Sequence, residues 1–130
     1  MNGNRVALDT NRAIAVLNGA PDAVTALATI SRVELPVPVI AELRYGALNS
    51  QRSTENLGRI DRLVASCGVL NATVVTAEVY GRVRFELRRR GTPIPENDVW
   101  IASICIEHDI PLWTDDHHFS AVMGLRLFTP

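Results

Sequence analysis

Short apolar segments alternate with helix-forming stretches along the chain, and this alternation constrains the fold more than any other feature. Val6-Ala7-Leu8 is one such segment, and Leu112-Trp113-Thr114 is another near the opposite end. Apolar residues in the stretches between them recur at three-to-four spacing, which predicts amphipathic helices. Strands that alternate with helices usually pair in parallel, so the sequence predicts an α/β sandwich with a mainly parallel sheet.

Start and stop signals give approximate bounds for the elements. Pro21 and Pro38 are each predicted to lie in the first turn of a helix, and Thr76 and Asn97 are each predicted to be the N-cap of a later helix. Gly91 is predicted to end the third of these helices. The fourth is apolar at almost every position from 99 to 106, so we expect it to be buried nearly all round. Short strands are expected near residues 35–37 and 125–128.

The size and composition of the chain suit one domain. It has 130 residues, of which 47% are hydrophobic, and we expect a single packed core over residues 1–130 without a linker. Asp9 and Arg12 interrupt the N-terminal stretch, so neither a secretory signal nor a transmembrane segment is expected, and the predicted location is cytoplasmic. Cys67 and Cys105 lie in apolar stretches without a metal-ligand pattern and are expected to be reduced core residues.

Charge is unevenly distributed along the chain. The formal net charge is −1, but residues 82–90 contain five arginines, whereas residues 91–118 contain six acidic residues and no arginine. All 13 basic residues are arginine. Receiver domains and Asp-nucleophile phosphatases normally need a lysine near the phosphoryl group, and a P-loop needs Gly-Lys-Ser/Thr. The absence of lysine therefore excludes these three classes.

Four acidic residues stand where the predicted elements bring distant parts of the chain together: Asp9, Glu42, Asp98 and Asp116. Asp9 and Asp116 follow predicted strands, while the other two lie early in helices, so all four can share the sheet edge that forms the ligand crevice. Two carboxylates about 5 Å apart repel by roughly 3 kcal/mol even at an effective dielectric near 20, so a shared pocket requires a cation. All-oxygen ligation suits Mg²⁺ or Mn²⁺, which polarise phosphoryl oxygens and activate water, and we therefore expect a phosphodiester substrate.

Most of these acids also have a purely structural interpretation. Asp9 can be only an N-cap, and Asp98 can favour the helix dipole without contacting a metal. Asp115-Asp116 can be turn formers, and at least one of the two is expected to be only that. Glu42 lies close to the apolar side of its helix, where an unpaired carboxylate is costly, so a functional role is favoured.

Two other charged groups are expected to be structural. His117 and His118 are adjacent on a turn and face different ways, so surface or packing roles are predicted for both. Arg88-Arg89-Arg90 is predicted to be a solvated helix end favoured by the dipole, with phosphate contact as the alternative.

Four segments together resemble one known family. They are VALDTN, PVIAELRYGA, GTPIPENDVWIAS and PLWTDDHHF, and their order and spacing are similar to those of the PIN-domain family, specifically the VapC-type toxins of bacterial toxin–antitoxin pairs. The resemblance runs from about Val6 to Leu127. It implies a PIN-like three-layer sandwich and a single-strand-directed endoribonuclease that uses Mg²⁺ or Mn²⁺. It also implies a homodimer and inhibition by a small cognate antitoxin.

The resemblance assigns roles to individual residues. By position, Asp9 matches the first acid of the family, and Glu42 matches the acid of the Glu-Leu-x-Tyr-Gly motif. Asp98 matches the acid of Asn-Asp-x-x-Ile-Ala, and Asp116 that of the Thr-x-Asp motif. These four residues are the predicted catalytic and metal-binding set.

The last motif departs from the family pattern. The family often reads Thr-x-Asp-x-Asp-Phe, and this sequence has His118 at the second Asp. Asp115 supplies a carboxylate one position early that can assist or substitute. Thr114 can orient water or metal through its hydroxyl, and Arg44 can contact RNA phosphate or pair with a site acid.

Two rival functions stay open beside the nuclease. A PIN-like module that has lost its metal site can bind RNA or protein without catalysis, although intact acids at all four positions argue against it. A structure-specific DNA nuclease usually carries DNA-clamping elements, for which 130 residues leave little room. The predicted function is therefore a metal-dependent endoribonuclease toxin that cleaves single-stranded or loop regions of cellular RNA.

Overall fold

The computed structural model describes residues 3–130, which contain four β-strands, six α-helices and one 3₁₀ helix. The strands are β1 (Arg5–Leu8), β2 (Arg32–Pro36), β3 (Gly68–Leu70) and β4 (Leu112–Trp113). The α-helices are α1 (Thr10–Leu17), α2 (Pro21–Leu27), α3 (Val37–Leu48), α4 (Ser53–Ser66), α5 (Val74–Arg89) and α6 (Glu96–His108). The 3₁₀ helix is His117–Ala121.

All strands of residues 3–130 pair in parallel, in the order β3-β2-β1-β4. β1 is central, and its Ala7 is paired with Glu34 of β2 and with Leu112 of β4. The run Val6-Ala7-Leu8 is fully buried, as expected for a parallel strand covered by helices. The predicted α/β fold, with a parallel sheet flanked by helices, is confirmed. The carboxyl ends of β1, β2 and β4 lie at one edge of this sheet.

Helix α6 forms a large part of the core. Its buried apolar residues are Val99, Ile101, Ala102, Ile104 and Cys105, and they join those of the sheet in one cluster. The prediction that this helix is buried nearly all round is confirmed. Cys67 and Cys105 are free, and burial raises the pKa of the Cys105 thiol to about 12. Within residues 3–130, no helix has both the length and the apolar character needed to cross a membrane.

The predicted start of α5 is one turn too late. Thr73, not Thr76, is the N-cap, and its hydroxyl accepts hydrogen bonds from the amides of Val75 and Thr76. The Thr76 hydroxyl accepts in turn from the amide of Thr73, at 2.8 Å. This reciprocal capping box satisfies donors at the helix start that one cap at Thr76 would leave unpaired. Gly91 follows the helix with φ of 72° and stops it as predicted.

The predicted cap of α6 is also misplaced. The helix begins at Glu96 behind Pro95, whose φ of −54° and ψ of 143° give the extended backbone of a preceding residue. Asn97 therefore lies in the first turn and caps nothing. Its Nδ2 is buried without a hydrogen-bond partner in the described part of the chain. The helix starts predicted from the two prolines are confirmed, because Pro21 is the first residue of α2 and Pro38 lies in the first turn of α3.

The shortest strands were the hardest to predict. The strand expected near residues 35–37 begins earlier, at Arg32. β3 was not predicted, because three residues are too few to show a period. The strand expected over residues 125–128 is reduced to one parallel bridge between Leu112 and Leu127.

One carboxylate is buried inside the sheet with two arginines as partners. Glu34 of β2 is 1% exposed, and its Oε1 lies 2.8 Å from Nη2 of Arg5 and 2.9 Å from Nε of Arg32. Gly68 of β3 is its register partner. A Cβ at Gly68 would overlap the Glu34 carboxylate, so the absent side chain provides the space that the buried acid occupies.

Candidate active site

Asp9 stands where β1 ends and α1 begins. It is the N-cap of α1, and its Oδ1 accepts a hydrogen bond from the backbone amide of Arg12 at 2.9 Å. Its Oδ2 accepts one from the hydroxyl of Thr114, which follows β4. Asp9 is only 5% exposed. The capping and functional interpretations of Asp9 are compatible, because each carboxylate oxygen has a second lone pair for another ligand.

His118 lies between Asp98 and Asp116. Asp98 is in the first turn of α6, where the helix dipole favours a carboxylate. Its Oδ2 is 2.8 Å from Nε2 of His118, and Nδ1 of His118 is 3.0 Å from Oδ1 of Asp116. One ligand atom from each of these three residues lies within 4.8 Å of the other two. The structure thus places His118 among the acids rather than in the predicted surface or packing role.

The hydroxyl of Thr114 fixes the turn after β4 through two hydrogen bonds. The backbone amide of Asp116 donates to the Thr114 hydroxyl oxygen at 3.0 Å, while the same hydroxyl donates to Asp9. Phe119, in the 3₁₀ helix next to His118, is almost fully buried. Thr114 therefore positions two acids, whereas sequence reasoning had assigned its hydroxyl to water or metal.

Glu42 reaches the same edge from α3. Its Oε1 accepts a hydrogen bond from the hydroxyl of Thr10, the residue after Asp9, and its charge raises the pKa of Asp98. The structure thus brings together the four acids that the sequence singled out, although they come from four separate segments. We call Asp9, Glu42, Asp98, Asp116 and His118 the acid site.

Burial and mutual repulsion both disfavour negative charge at the acid site. Burial is the main cause of the raised pKa of Asp9, and the charges of the two aspartates after β4 add to the rise, against hydrogen bonds from Thr114 and the Arg12 amide. Burial also raises the pKa of Asp98, where the neighbouring acids add to the rise and His118 opposes it. A cation at this site would offset both effects.

Arg12 binds Asp115 at the margin of the acid site. The Arg12 side chain is 6% exposed, and its Nη2 lies 2.9 Å from Oδ2 of Asp22 and 3.1 Å from Oδ2 of Asp115. The guanidinium carbon also lies 4.5 Å from the centre of the Trp113 ring. Neighbouring side chains in extended backbone point in opposite directions, so Asp115 meets this arginine while Asp116 meets His118.

Three further residues fall outside the acid site. Of the two roles predicted for Arg44, pairing with a site acid is wrong, because its Nη1 is bound to Asp61 of α4 at 2.9 Å, and contact with RNA phosphate stays a prediction. His117 is exposed, as predicted. Arg89 is exposed in the last turn of α5, as predicted for a solvated helix end, and pairs with Glu86.

The residues of the acid site fit a divalent cation. Carboxylate oxygens are the donors that Mg²⁺ and Mn²⁺ prefer, and an imidazole nitrogen is a common additional donor for transition ions. Within residues 3–130, no arginine forms an ion pair with any of the four acids; the nearby Arg12 is paired with Asp22 and Asp115. A bound cation would balance the negative charge of this cluster, in which His118 is the only basic side chain that pairs with the acids in the described part of the chain.

Comparison with known proteins agrees with this geometry. The PIN domain family model matches residues 6–125. A tRNA(fMet)-specific endonuclease VapC of Shigella flexneri is 30% identical over 122 residues, 92% of each chain. VapBC2 from Rickettsia felis, bound to a DNA fragment from their promoter, superposes with a TM-score of 0.89 at 26% identity, over 95% of this chain and 97% of that chain.

A second crystal structure adds the biological setting of the relatives. VapBC-5 from Mycobacterium tuberculosis, a member of the VapBC family of toxin–antitoxin systems, has a TM-score of 0.73 at 26% identity, over 95% of this chain and 98% of that chain. The resemblance noted in the sequence is thereby confirmed by fold, by family model and by curated relatives. The chain belongs to the PIN domain family and, within it, to the group of VapC ribonucleases.

Proposed function

We propose that this chain is the toxin of a toxin–antitoxin pair, an endoribonuclease that cleaves single-stranded or loop regions of cellular RNA with Mg²⁺ or Mn²⁺. The observation that carries the proposal is the cluster that contains Asp98 and Asp116, with Asp9 and Glu42 close enough to interact with it electrostatically. Within residues 3–130, no arginine pairs with any of these four acids. The Shigella relative named as a tRNA(fMet)-specific endonuclease supports RNA as the substrate.

The four acids have a shared task in this proposal. Asp98 and Asp116, whose ligand atoms lie together, would hold the ion, with Asp9 contributing from the end of β1 and Glu42 from α3. A divalent ion bound there supplies Lewis acidity towards a phosphoryl oxygen and lowers the pKa of a bound water. The Thr114 hydroxyl fixes the positions of Asp9 and Asp116 by hydrogen bonds to both residues. The Thr10 hydroxyl fixes Glu42 at the same edge of the sheet.

An apolar groove beside the acid site suits the antitoxin. It has a volume of about 280 Å³ and is lined mainly by apolar side chains of α1, α3 and α4, with Glu42 at its margin. Ile14 and Leu43 belong to this lining. A partner segment seated there would lie next to the acid site and could bring an arginine to the carboxylates in place of the metal. Persistent RNA cleavage in a stoichiometric complex would contradict this route of inhibition.

A homodimer is part of the same proposal. Large apolar side chains stand exposed on α5, namely Val74, Val75 and Phe85, and an interface between two copies would cover such residues. Light scattering on the isolated chain tests this, with Phe85→Ser expected to shift the mass towards that of one chain.

The decisive experiment compares substrates and ions. The purified chain is incubated with single-stranded RNA and with flapped DNA, in Mg²⁺ or in EDTA, and cleavage ends are mapped. We expect RNA cleavage in Mg²⁺, none in EDTA and little cleavage of flapped DNA. Asp98→Asn is expected to abolish cleavage while leaving the fold intact, because the amide retains the shape of the side chain without its charge.

Two outcomes of this experiment would overturn the proposal. Full activity of Asp98→Asn would show that the acid site is not catalytic. RNA binding without cleavage in any divalent ion would favour the noncatalytic module instead. Glu55→Gln, which removes an exposed carboxylate of α4, is the matched control and is expected to cleave normally.

A further inference from the structure

One side chain of the acid site is not an acid, and its surroundings are specific. His118 presents both ring nitrogens to carboxylates: Nε2 to Oδ2 of Asp98 at 2.8 Å, and Nδ1 to Oδ1 of Asp116 at 3.0 Å. A neutral imidazole has one N–H, so it can donate to one of these oxygens and must turn a lone pair towards the other. An imidazolium ring would donate to both oxygens, whereas a neutral ring has one lone pair that a bound cation can take up beside the facing carboxylate.

The two contacts are not equivalent. Asp98 is fixed in the first turn of α6 and belongs to the inner part of the acid site, facing Glu42. Asp116 lies on the turn after β4, with its amide bound to Thr114. A metal-binding histidine usually donates its other ring N–H to a carboxylate, which fixes the tautomer and the ring orientation. Asp116 is placed to be that carboxylate, which leaves the Nε2 lone pair on the side of Asp98 and available to an ion that both groups bind.

The distance between Nε2 and Asp98 also suits shared coordination. Two neighbouring ligands of one octahedral ion, each at about 2.1 Å, are separated by about 3.0 Å. Nε2 of His118 and Oδ2 of Asp98 lie 2.8 Å apart, and Oδ2 of Asp116 is free of the hydrogen bond that Oδ1 makes. The 3₁₀ helix holds the ring in place, since its Phe119 is buried in the core.

We infer that His118 is a nitrogen ligand of the metal held at the acid site, oriented by Asp116, and that it shifts the preference of this site from Mg²⁺ towards transition ions such as Co²⁺. This inference rests on the metal site of the proposed function and adds a specificity-determining residue to it. Imidazole binds divalent transition ions well, whereas Mg²⁺ prefers oxygen donors and keeps much of its water shell.

The experiment measures ion binding directly rather than catalysis. Calorimetric titration of the full chain with Co²⁺ and with Mg²⁺ is repeated on His118→Asn, and the visible absorption of bound Co²⁺ is recorded. We expect Co²⁺ affinity to fall by about tenfold or more, because even loss of a ligand's outer partner costs about 10- to 100-fold. Mg²⁺ affinity should change much less, and the Co²⁺ spectrum should lose its nitrogen-ligand character.

Two variants make the result specific. His118→Asp, which places a carboxylate on the same turn, should keep or strengthen Mg²⁺ binding while losing the Co²⁺ preference. His117→Asn changes the exposed neighbour on that turn and should leave both affinities unchanged. Circular dichroism of each variant verifies that the fold is retained.

The outcomes separate this inference from the proposed function. Unchanged Co²⁺ affinity and spectrum in His118→Asn would overturn it, as would equal losses for Co²⁺ and Mg²⁺ or failure of the unaltered chain to bind either ion. A chain that binds Co²⁺ through His118 but does not cleave RNA would uphold the ligand assignment and refute the nuclease.

Discussion

Glu34 and the acid site show two ways in which this sheet accommodates buried negative charge. Glu34 is almost fully buried, and the chain supplies Arg5 and Arg32 at 2.8 and 2.9 Å to balance it. Asp9 is buried and Asp98 is half-buried, yet Arg12, which lies near Asp9, is bound to other acids. The chain therefore pairs with arginine the acid that supports the sheet, and within residues 3–130 it gives no arginine to the acids at the carboxyl edge. Acids without an arginine are the ones available to an external cation.

The largest stability effect is expected at the paired acid. Glu34→Gln should lower the free energy of unfolding by about 1.5–3 kcal/mol, the usual contribution of hydrogen bonds to charged groups. The loss should stay near this range because both arginines are half-exposed and can be rehydrated. Urea unfolding measures it, with the exposed Glu55→Gln as a control expected to change little. If Glu34→Gln leaves the free energy of unfolding unchanged, the two arginines contribute nothing to the stability of the sheet.

The next largest effect on stability is expected at Gly68, which leaves space for the Glu34 carboxylate. Gly68→Ala should destabilise the chain by about 1–3 kcal/mol, as overpacking in a core does, because the added methyl overlaps the Glu34 carboxylate. Gly46→Ala on α3 meets no atom within 4 Å and is the matched control, expected to be neutral or stabilising. If Gly68→Ala is as harmless in urea unfolding as Gly46→Ala, then β3 can move away from β2 more easily than the close approach implies.

Removing a charge from the acid site should change the free energy of unfolding in the opposite direction, and by less, than Glu34→Gln does. In EDTA, Asp9→Asn should raise the free energy of unfolding, because it removes a charge that burial disfavours while asparagine still caps α1. The gain is limited because the helix dipole attracts an anion at this end by about 0.3–1 kcal/mol. Thermal unfolding in EDTA measures it, and a clear loss of stability would erase the contrast with Glu34.

The smallest effect is a dependence of stability on pH. Asp9 and Asp98 have raised pKa values in the folded chain, so between their unfolded and folded pKa values the folded state binds more protons than the unfolded state. Their contribution to stability is therefore fully present at low pH and is lost as the pH rises through the folded pKa values. Thermal unfolding in EDTA across acidic pH should show a shallower loss in Asp9→Asn than in the unaltered chain. Replacing EDTA with saturating Mg²⁺ should reduce the loss in the unaltered chain, because the bound ion favours the charged carboxylates.

Sequence reasoning located the acid site better than it located the elements that build it. Asp9 and Asp98 each have a structural explanation alone, and they were singled out because both were expected at the same sheet edge and both match acids of the family motifs. β3 escaped notice because three residues carry no period, and the caps of α5 and α6 were misplaced because several residues at each start had suitable side chains. Such choices depend on tertiary packing rather than on local preference.

Neither His118 nor Arg12 could be assigned from the sequence. His118 departs from the family pattern, which marks the position, but only the distances to Asp98 and Asp116 show that the ring lies between them. The partners of Arg12 come from α2 and from the turn after β4, and no spacing rule relates those segments. Contacts between segments far apart in the sequence are the part that a single chain does not reveal.

The hydrogen bond from Thr114 to Asp9 joins residues 105 positions apart, and this has a consequence during synthesis. While the segment from β4 onward is still in the exit tunnel of the ribosome, the nascent chain already contains Asp9, Glu42 and Asp98. At that stage β4 and Asp116 have not yet docked beside β1. Under the proposed function, such a chain cannot cut RNA. Completion of the acid site thus waits until β4 and the turn after it have been made and have paired with β1.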